Sequence, residues 1–204
     1  MTRNMKQWAA DMIASTKKNA LPILSFPSVQ LMGITVRELI GSSDSQAAGM
    51  KLIADRVPSA AAVSLMDLSV EAEAFGSYIR FSDNEVPTVQ GHIVSDEDEA
   101  AALAVPAVGT ARTGIYIEAI EKAVQLITDR PVFGGVIGPF SLAGRILDVS
   151  EALALASIAW SPASFSVSPP AWPRMINLPE PYSVQTASVL SLLAVIWFSV
   201  PVIR

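Results

Sequence analysis

AAVSLMDLSVEAEAFG, residues 61–76, is the stretch that decides the fold class. Its first residues belong to an apolar run, residues 60–66, and the carboxylate of Asp67 follows this run directly. A short continuous apolar run is typical of a parallel strand that is buried on both faces. In α/β folds the ligand chemistry lies at the carboxyl ends of such strands. The stretch therefore predicts a buried parallel strand with Asp67 at its functional end.

Helical and strand patterns alternate on both sides of this stretch, with short connections. LPILSF (residues 21–26) and VFGGVIG (residues 132–138) predict two further buried strands. A helix is expected to start after Ser43 or Asp44 and to end before Pro58. Such alternation is the signature of a parallel α/β architecture. Apolar spacing predicts the other helices over residues 4–16, 34–40, 113–129 and about 142–155.

A short β excursion is expected between the second and third of these strands. SYIRF (residues 77–81) and TVQGHIV (residues 88–94) predict its two strands, joined by a turn at residues 82–84. His92, the only histidine of the chain, falls in this excursion. A histidine beside a glycine in a surface excursion is more often an ordinary loop residue than a ligand.

Composition limits the classes of function. The 204 residues are 51% hydrophobic, enough to bury a core as one domain or a large part of one. A net charge of -5 argues against nucleic acid as a partner, because phosphate binding needs clustered Lys and Arg. The absence of cysteine excludes disulfides, a thiolate nucleophile and a Cys-ligated zinc site. The amino terminus has no apolar core for a signal peptide, so we expect a cytoplasmic protein.

The composition changes at about residue 156. Residues 156–204 contain seven of the 14 prolines and three of the four tryptophans, and no further strand–helix unit follows. We therefore predict an α/β part over residues 1–155 and an atypical segment over residues 156–204. A shifted reading frame is the favoured explanation of this segment, ahead of a membrane anchor and a Pro-rich linker. Residues 181–203 are uncharged and long enough to span a bilayer. Pro201 and several serines weaken that stretch, so a membrane location is not expected.

Four stretches in this order resemble the uroporphyrinogen decarboxylase superfamily over roughly residues 5–155. That superfamily contains the decarboxylases and the cobalamin-dependent methyltransferases that act on methylcobamide and coenzyme M. The resemblance implies an α/β fold of the (β/α)₈ TIM-barrel type, with its site at the carboxyl ends of the strands. This chain would supply about the first three strands of the barrel. The four stretches are LPILSF, SLMDLSVEAEAFG, IRFSDNEVPTVQG and PVFGGVIGPFSLAGRIL.

The resemblance also implies site residues. Asp67 lies where the decarboxylases have the aspartate that faces the pyrrole nitrogens, and a fixed carboxylate there would stabilise a protonated pyrrole. The alternative is a strand-end carboxylate that caps a neighbouring helix or loop. Glu71 is the better of the two following acids for a pocket, and Glu73 is expected to be solvated. Gly138, with Gly134 and Gly135, admits a ligand close to the backbone or simply allows tight packing.

Other positions bear on the choice between the two branches. The two arginines that grip substrate carboxylates in the decarboxylases correspond to Pro27 and Leu31 here. The tyrosine expected after the third strand corresponds to Arg145, which either meets an anionic ligand at a helix start or pairs with Asp148 or another surface acid. Without the two arginines an octacarboxylate substrate loses its charge-assisted contacts.

The segment DLSVEAEAFG resembles the methyltransferase branch more closely than the decarboxylase branch. Zinc, held there by a His-x-Cys pair and a later Cys in the second half of the barrel, activates a thiol. Zinc and a corrinoid are thus implied only for a full-length relative, and no cofactor can be assigned to this chain itself.

Three hypotheses follow for the function. The first is a truncated methyltransferase of the corrinoid type that is inactive alone. The second is a uroporphyrinogen decarboxylase of tetrapyrrole biosynthesis. The third is a non-catalytic half-barrel that binds a tetrapyrrole or a corrinoid protein, or pairs with another chain that completes the barrel. An open sheet edge favours such a partner.

Overall fold

The computed structural model describes residues 3–17, 19–148 and 150 of the chain. The described residues fall into two compact units. The first comprises the residues up to Asp67, Phe81–Pro87 and Gly109–Val136, and the second comprises Leu68–Arg80, Thr88–Val108 and the residues from Ile137 onward. The helices are α1 Met5–Ala14, α2 Ser28–Met32, α3 Val36–Ile40, α4 Ser43–Arg56, α5 Val70–Ala74, α6 Glu97–Ala102, α7 Thr113–Leu126 and α8 Pro139–Ile146, and the strands are β1 Ala62–Val63, β2 Tyr78–Arg80, β3 Thr88–Gln90 and β4 Val132–Phe133.

The first unit is built on a parallel strand pair. β1 pairs with β4 in the register Ala62 to Val132 and Val63 to Phe133, which confirms the predicted parallel neighbours. Trp8 of α1 packs edge-on against Phe133, with ring centroids 5.6 Å apart. Helices α4 and α7 pack closely because alanines lie where they meet. The core cluster consists of Ala47, Met50, Ala54, Ala62, Ala123 and Ile127.

The second unit combines a small antiparallel sheet with helices. β2 pairs with β3, with Ile79 opposite Val89, and this confirms the predicted β excursion. Helix α5 packs against α8. The amphipathic pattern of α8 places Leu142 and Ile146 on its inner face, where both are fully buried. The core cluster consists of Ala72, Val94, Ile137, Leu142, Ala143, Ile146 and Leu147.

The strand predicted over residues 21–26 is wrong. Residues 21–24 have no regular secondary structure and residues 25–26 lie in a turn. The neighbouring backbone hydrogen bond, from the Ala60 N–H to the Ala20 carbonyl at 2.8 Å, lies just outside the segment. Pro22 has no N–H to donate to a ladder. Leu21 and Ile23 are 48% and 54% exposed. The sequence also gave no sign of α2, which ends at Gly33 in the left-handed conformation (φ 67°).

The predicted helices are confirmed with shifts at their ends. Helix α4 is capped by the side chain of Ser42 rather than by Ser43 or Asp44. Helix α8 begins at Pro139, three residues before the predicted start at 142, because proline suits the first position of a helix. The predicted continuation to residue 155 is wrong at Leu147 and Asp148, because α8 ends at Ile146, and residues 149 and 151–155 lie outside the described residues.

The α/β class is confirmed, whereas the barrel stays a prediction. Across residues 3–148, one parallel strand pair and one antiparallel pair are formed. The atypical segment, residues 156–204, and its three explanations lie outside the described part of the chain. None of the helices in the described part is both long and apolar enough to cross a membrane.

Two buried serines give a test of the packing. Ser77 Oγ is, among the described residues, the buried side-chain polar atom without a hydrogen-bond partner. Ser64 Oγ, by contrast, accepts from the Gly135 N–H at 2.7 Å. We predict that Ser77→Ala leaves the free energy of unfolding unchanged or raises it, since an unpaired buried hydroxyl costs about 1–3 kcal/mol. Ser64→Ala, the matched control, should lower it by about 1 kcal/mol or more.

Urea unfolding followed by circular dichroism measures both effects. A loss for Ser77→Ala as large as that for Ser64→Ala would contradict the prediction, because it would mean that the Ser77 hydroxyl is paired.

Candidate functional site

Asp67 lies beyond the carboxyl end of β1, as predicted, and its carboxylate accepts hydrogen bonds from side chains of α7 and its N-cap. Its Oδ2 accepts a hydrogen bond from Arg112 Nη1 at 2.6 Å and from the Tyr116 hydroxyl at 2.9 Å. The Asp67 side chain is 0% exposed and that of Arg112 is 10% exposed. A buried carboxylate is tolerated only when it is paired and hydrogen-bonded. These three side chains form a buried polar cluster, the Asp67 cluster.

Helix α7 supplies both donors. Arg112 is its N-cap residue, and Tyr116 follows four residues later, so that both side chains lie on one face. The preceding loop has two residues with positive φ, Gly109 (86°) and Ala111 (50°). A non-glycine residue in this region is strained by about 1–3 kcal/mol, and such strain clusters at functional sites. A Cβ atom at Gly114 would lie 3.0 Å from the Gly109 carbonyl oxygen, so glycine lets the loop pack on the helix start.

An aromatic ring extends the cluster toward a second arginine. The guanidinium carbon of Arg112 lies 5.0 Å from the ring centre of Phe81, and that of Arg37 lies 5.9 Å from it. Both distances are within the range of cation–π attraction. Arg37 Nε also donates to Asp83 Oδ1 at 2.7 Å. The Val36 N–H donates to the Asp83 carbonyl at 2.8 Å. This backbone hydrogen bond anchors the loop between β2 and β3 to the start of α3.

A capping box fixes the first turn of α3 and therefore Arg37. The Glu38 carboxylate accepts from the Thr35 N–H and hydroxyl, and the Thr35 hydroxyl accepts from the Glu38 N–H. The Thr35 N–H, followed by the Thr35 hydroxyl, lowers the pKa of Glu38, against smaller opposing effects of desolvation and Asp83. Because the folded pKa is lowered, the stabilisation is present above the ordinary pKa and is lost as the pH falls through the lowered value.

The other predicted site residues belong to the second unit. Glu71 Oε1 accepts from the Ile137 N–H at 3.1 Å, which brings it next to Gly138 in the chain. Gly138 is the N-cap residue of α8. Arg145 lies in the last turn of α8. The expectation of an arginine at a helix start is therefore wrong, because α8 begins at Pro139 and places Arg145 near its carboxyl end.

The remaining candidates behave as structural residues. A Cβ atom at Gly134 would lie 3.0 Å from Ile120 Cδ1, and one at Gly135 would lie 3.2 Å from Met66 Cε. These contacts support the packing explanation for both glycines. His92 is exposed in the loop after β3, as expected for an ordinary loop histidine. Glu73 is half-buried rather than solvated.

Sequence reasoning missed Arg112, Tyr116, Phe81 and Arg37. The spacing of Arg112 and Tyr116 at the start of a predicted helix was visible and puts them on one face. Nothing local links them to Asp67, which lies 45 and 49 residues away along the chain.

The residues of this chain do not fit the zinc site implied by the resemblance. The chain has no cysteine and a single histidine. Among the residues that the structure describes, no group of three or more His, Cys, Asp or Glu side chains could hold a metal ion.

A parallel strand pair flanked by helices defines an α/β protein, a class in which ligands bind beyond the carboxyl ends of the strands. The sequence model of the family "Uroporphyrinogen decarboxylase (URO-D)" matches residues 24–158, more than half of the chain. The chain therefore belongs to the uroporphyrinogen decarboxylase family.

Two curated relatives are methyltransferases. The methylcobamide:CoM methyltransferase MtbA of Methanosarcina acetivorans is 34% identical over 82 residues, and that of Methanosarcina mazei is 35% identical over 86 residues. Each match covers 39% of this chain and 24% of the relative, so the matched region spans about a quarter of the relative's length. A solved methyltransferase from Methanosarcina mazei shares the fold, with a TM-score of 0.61 and 21% identity. That match covers 76% of this chain and 47% of the solved chain.

The Asp67 cluster predicts unequal effects for two aspartates. Asp67→Ala leaves the buried Arg112 without its carboxylate partner, so we expect a loss of about 3–5 kcal/mol in the free energy of unfolding. The control is Asp55→Ala, whose carboxylate pairs with Lys51 on the surface of α4. That loss should be at most about 0.5 kcal/mol. Equal losses in urea unfolding would contradict a buried, paired Asp67.

Proposed function

We propose that this chain is the amino-terminal part of a methyltransferase of the methylcobamide:CoM type. The observation that supports this most is the pair of curated relatives, both methylcobamide:CoM methyltransferases, together with membership of the family. The proposal includes the (β/α)₈ barrel of the family, of which this chain supplies the first strands. It also includes a corrinoid protein as partner and a cytoplasmic location.

The methyltransferase reaction is favoured over decarboxylation. Pro27 and Leu31 occupy the positions of the two carboxylate-gripping arginines of the decarboxylases. Neither side chain can pair with a carboxylate. A substrate with eight carboxylates would therefore lack charge-assisted contacts at these positions.

The roles proposed for the site residues follow from their contacts. Asp67, predicted as catalytic, is proposed to act as a positioning residue, because its carboxylate is buried against Arg112 and Tyr116. It sets the guanidinium and the phenol at the strand end. Glu71, Gly138 and Arg145 remain the proposed substrate-binding residues of the second unit. Of these, Glu71 orients the backbone at Ile137.

Zinc and corrinoid chemistry cannot come from this chain alone. The chain lacks the cysteines that would hold zinc. In the proposed function the zinc ligands are supplied by other residues than those of this chain, and the corrinoid is supplied by its partner protein. The chain alone is therefore expected to be inactive.

A complementation experiment tests the proposal. The 204-residue chain is co-produced with the carboxyl-terminal portion of the Methanosarcina mazei methyltransferase that it does not match. Methyl transfer from methylcobalamin to coenzyme M is followed by the absorbance of methylcobalamin. We expect no transfer by either piece alone and measurable transfer by the pair. Asp67→Asn should lower the rate about 100-fold through misplacement of the site, whereas the surface variant Asp55→Asn should leave it unchanged.

The amino-terminal portion of the Methanosarcina mazei enzyme, paired with the same fragment, is the positive control. A pair that copurifies, transfers no methyl group and converts uroporphyrinogen to coproporphyrinogen would contradict the proposal in favour of the decarboxylase.

A further inference from the structure

Helix α1 lies against β4 of the first unit. Arg3 Nη2, just before the helix, donates to the Thr128 carbonyl at 3.1 Å, on the segment that leads into β4. Trp8, in the middle of the helix, packs edge-on against Phe133 of β4, with ring centroids 5.6 Å apart. These two contacts place α1 along the approach to β4 and on the strand itself.

The sequence of β4 does not protect the strand from pairing with another chain. Among the residues that the structure describes, β1 is the one hydrogen-bonded neighbour of β4. Val132 and Phe133 are both half-buried, and residues 132–138 contain no charged residue and no proline. Charges and prolines are the usual devices that keep a strand edge from pairing with another chain, and a covering helix is an alternative device. The contact with α1 is therefore the protection that this strand has.

The cover is held lightly. None of the residues of α1 is buried, and the hydrogen bond from Arg3 is exposed. The described residues of the connection that follows α1, residues 15–17 and 19–24, form neither helix nor strand. Segments with little buried surface open at a lower cost in free energy than the core does. Helices α4 and α7, in contrast, carry the buried alanines of the core of this unit.

We propose that α1 is a removable cover of β4, and that its opening lets two copies of the chain associate through the uncovered strand. A second copy fits this strand because the segment is apolar and uncharged, so that a twofold pair brings no like charges together. In the pair, β4 of one copy lies antiparallel to β4 of the other. Each edge then supplies the backbone donors and acceptors that the other edge lacks.

Hydrogen exchange by mass spectrometry and sedimentation velocity of the full 204-residue chain test the proposal. We expect the amides of α1 to exchange about tenfold faster, or more, than those of α4 and α7. Trp8→Ala should raise the exchange rate of α1 and the association constant of the dimer about tenfold, because the ring contact that closes the cover is lost. Ile13→Ala is the matched control, at a residue of the same helix that is 78% exposed, and should leave the association constant unchanged.

A second variant locates the contact between the copies. Val136→Lys places a charge at a 49% exposed position of the uncharged segment that follows β4. A lysine at a strand edge opposes pairing with another chain. Combined with Trp8→Ala, this substitution should return the association constant to that of the unsubstituted chain.

Three results would overturn the proposal. Equal association of the unsubstituted chain and Trp8→Ala would mean that α1 does not guard the contact. Association of the double variant as strong as that of Trp8→Ala would mean that the copies meet elsewhere. Faster exchange throughout α4 and α7 in Trp8→Ala would mean that α1 is part of the core rather than a cover. None of these measurements depends on methyl transfer.

Discussion

The buried ion pair between Asp67 and Arg112 is the constraint on which the first unit depends. The carboxylate has no exposed surface, and burial of such a charge is costly unless it is neutralised and hydrogen-bonded. Arg112 and Tyr116 meet both needs at a single oxygen atom. They also join the end of β1 to the start of α7, so the pair fixes the loop at residues 109–112 despite the positive φ at Ala111.

This pairing changes the role that can be proposed for the Asp67 carboxylate. A carboxylate already bound to a guanidinium has little charge left for a developing cation, so the direct role implied by the resemblance is less suitable than a positioning role. Glu71 is similar in this respect, since it accepts the Ile137 N–H in the second unit. Asp67 and Glu71 thus hold Arg112 and the backbone at Ile137, respectively.

The sequence allowed the α/β class, the parallel strands β1 and β4 and the β2–β3 pair to be predicted, because apolar runs and turn residues are local signals. Helices α4 and α7 were predictable for the same reason. The strand prediction at residues 21–26 was wrong; Pro22 has no N–H to donate to a ladder. The partners of Asp67 could not be predicted, since a contact across 45 residues leaves no periodic pattern. Asp67 itself was predictable only as a residue at a strand end.

A double-mutant cycle on Asp67→Asn and Arg112→Gln, measured by urea unfolding of the full chain, tests the central claim most directly. If the two side chains form one buried pair, the loss in the double variant is smaller than the sum of the single losses. We predict a coupling of about 2 kcal/mol or more, the range for residues in one buried network. Additivity of the two losses within about 0.5 kcal/mol would contradict the pairing and the role of Asp67 as a positioning residue.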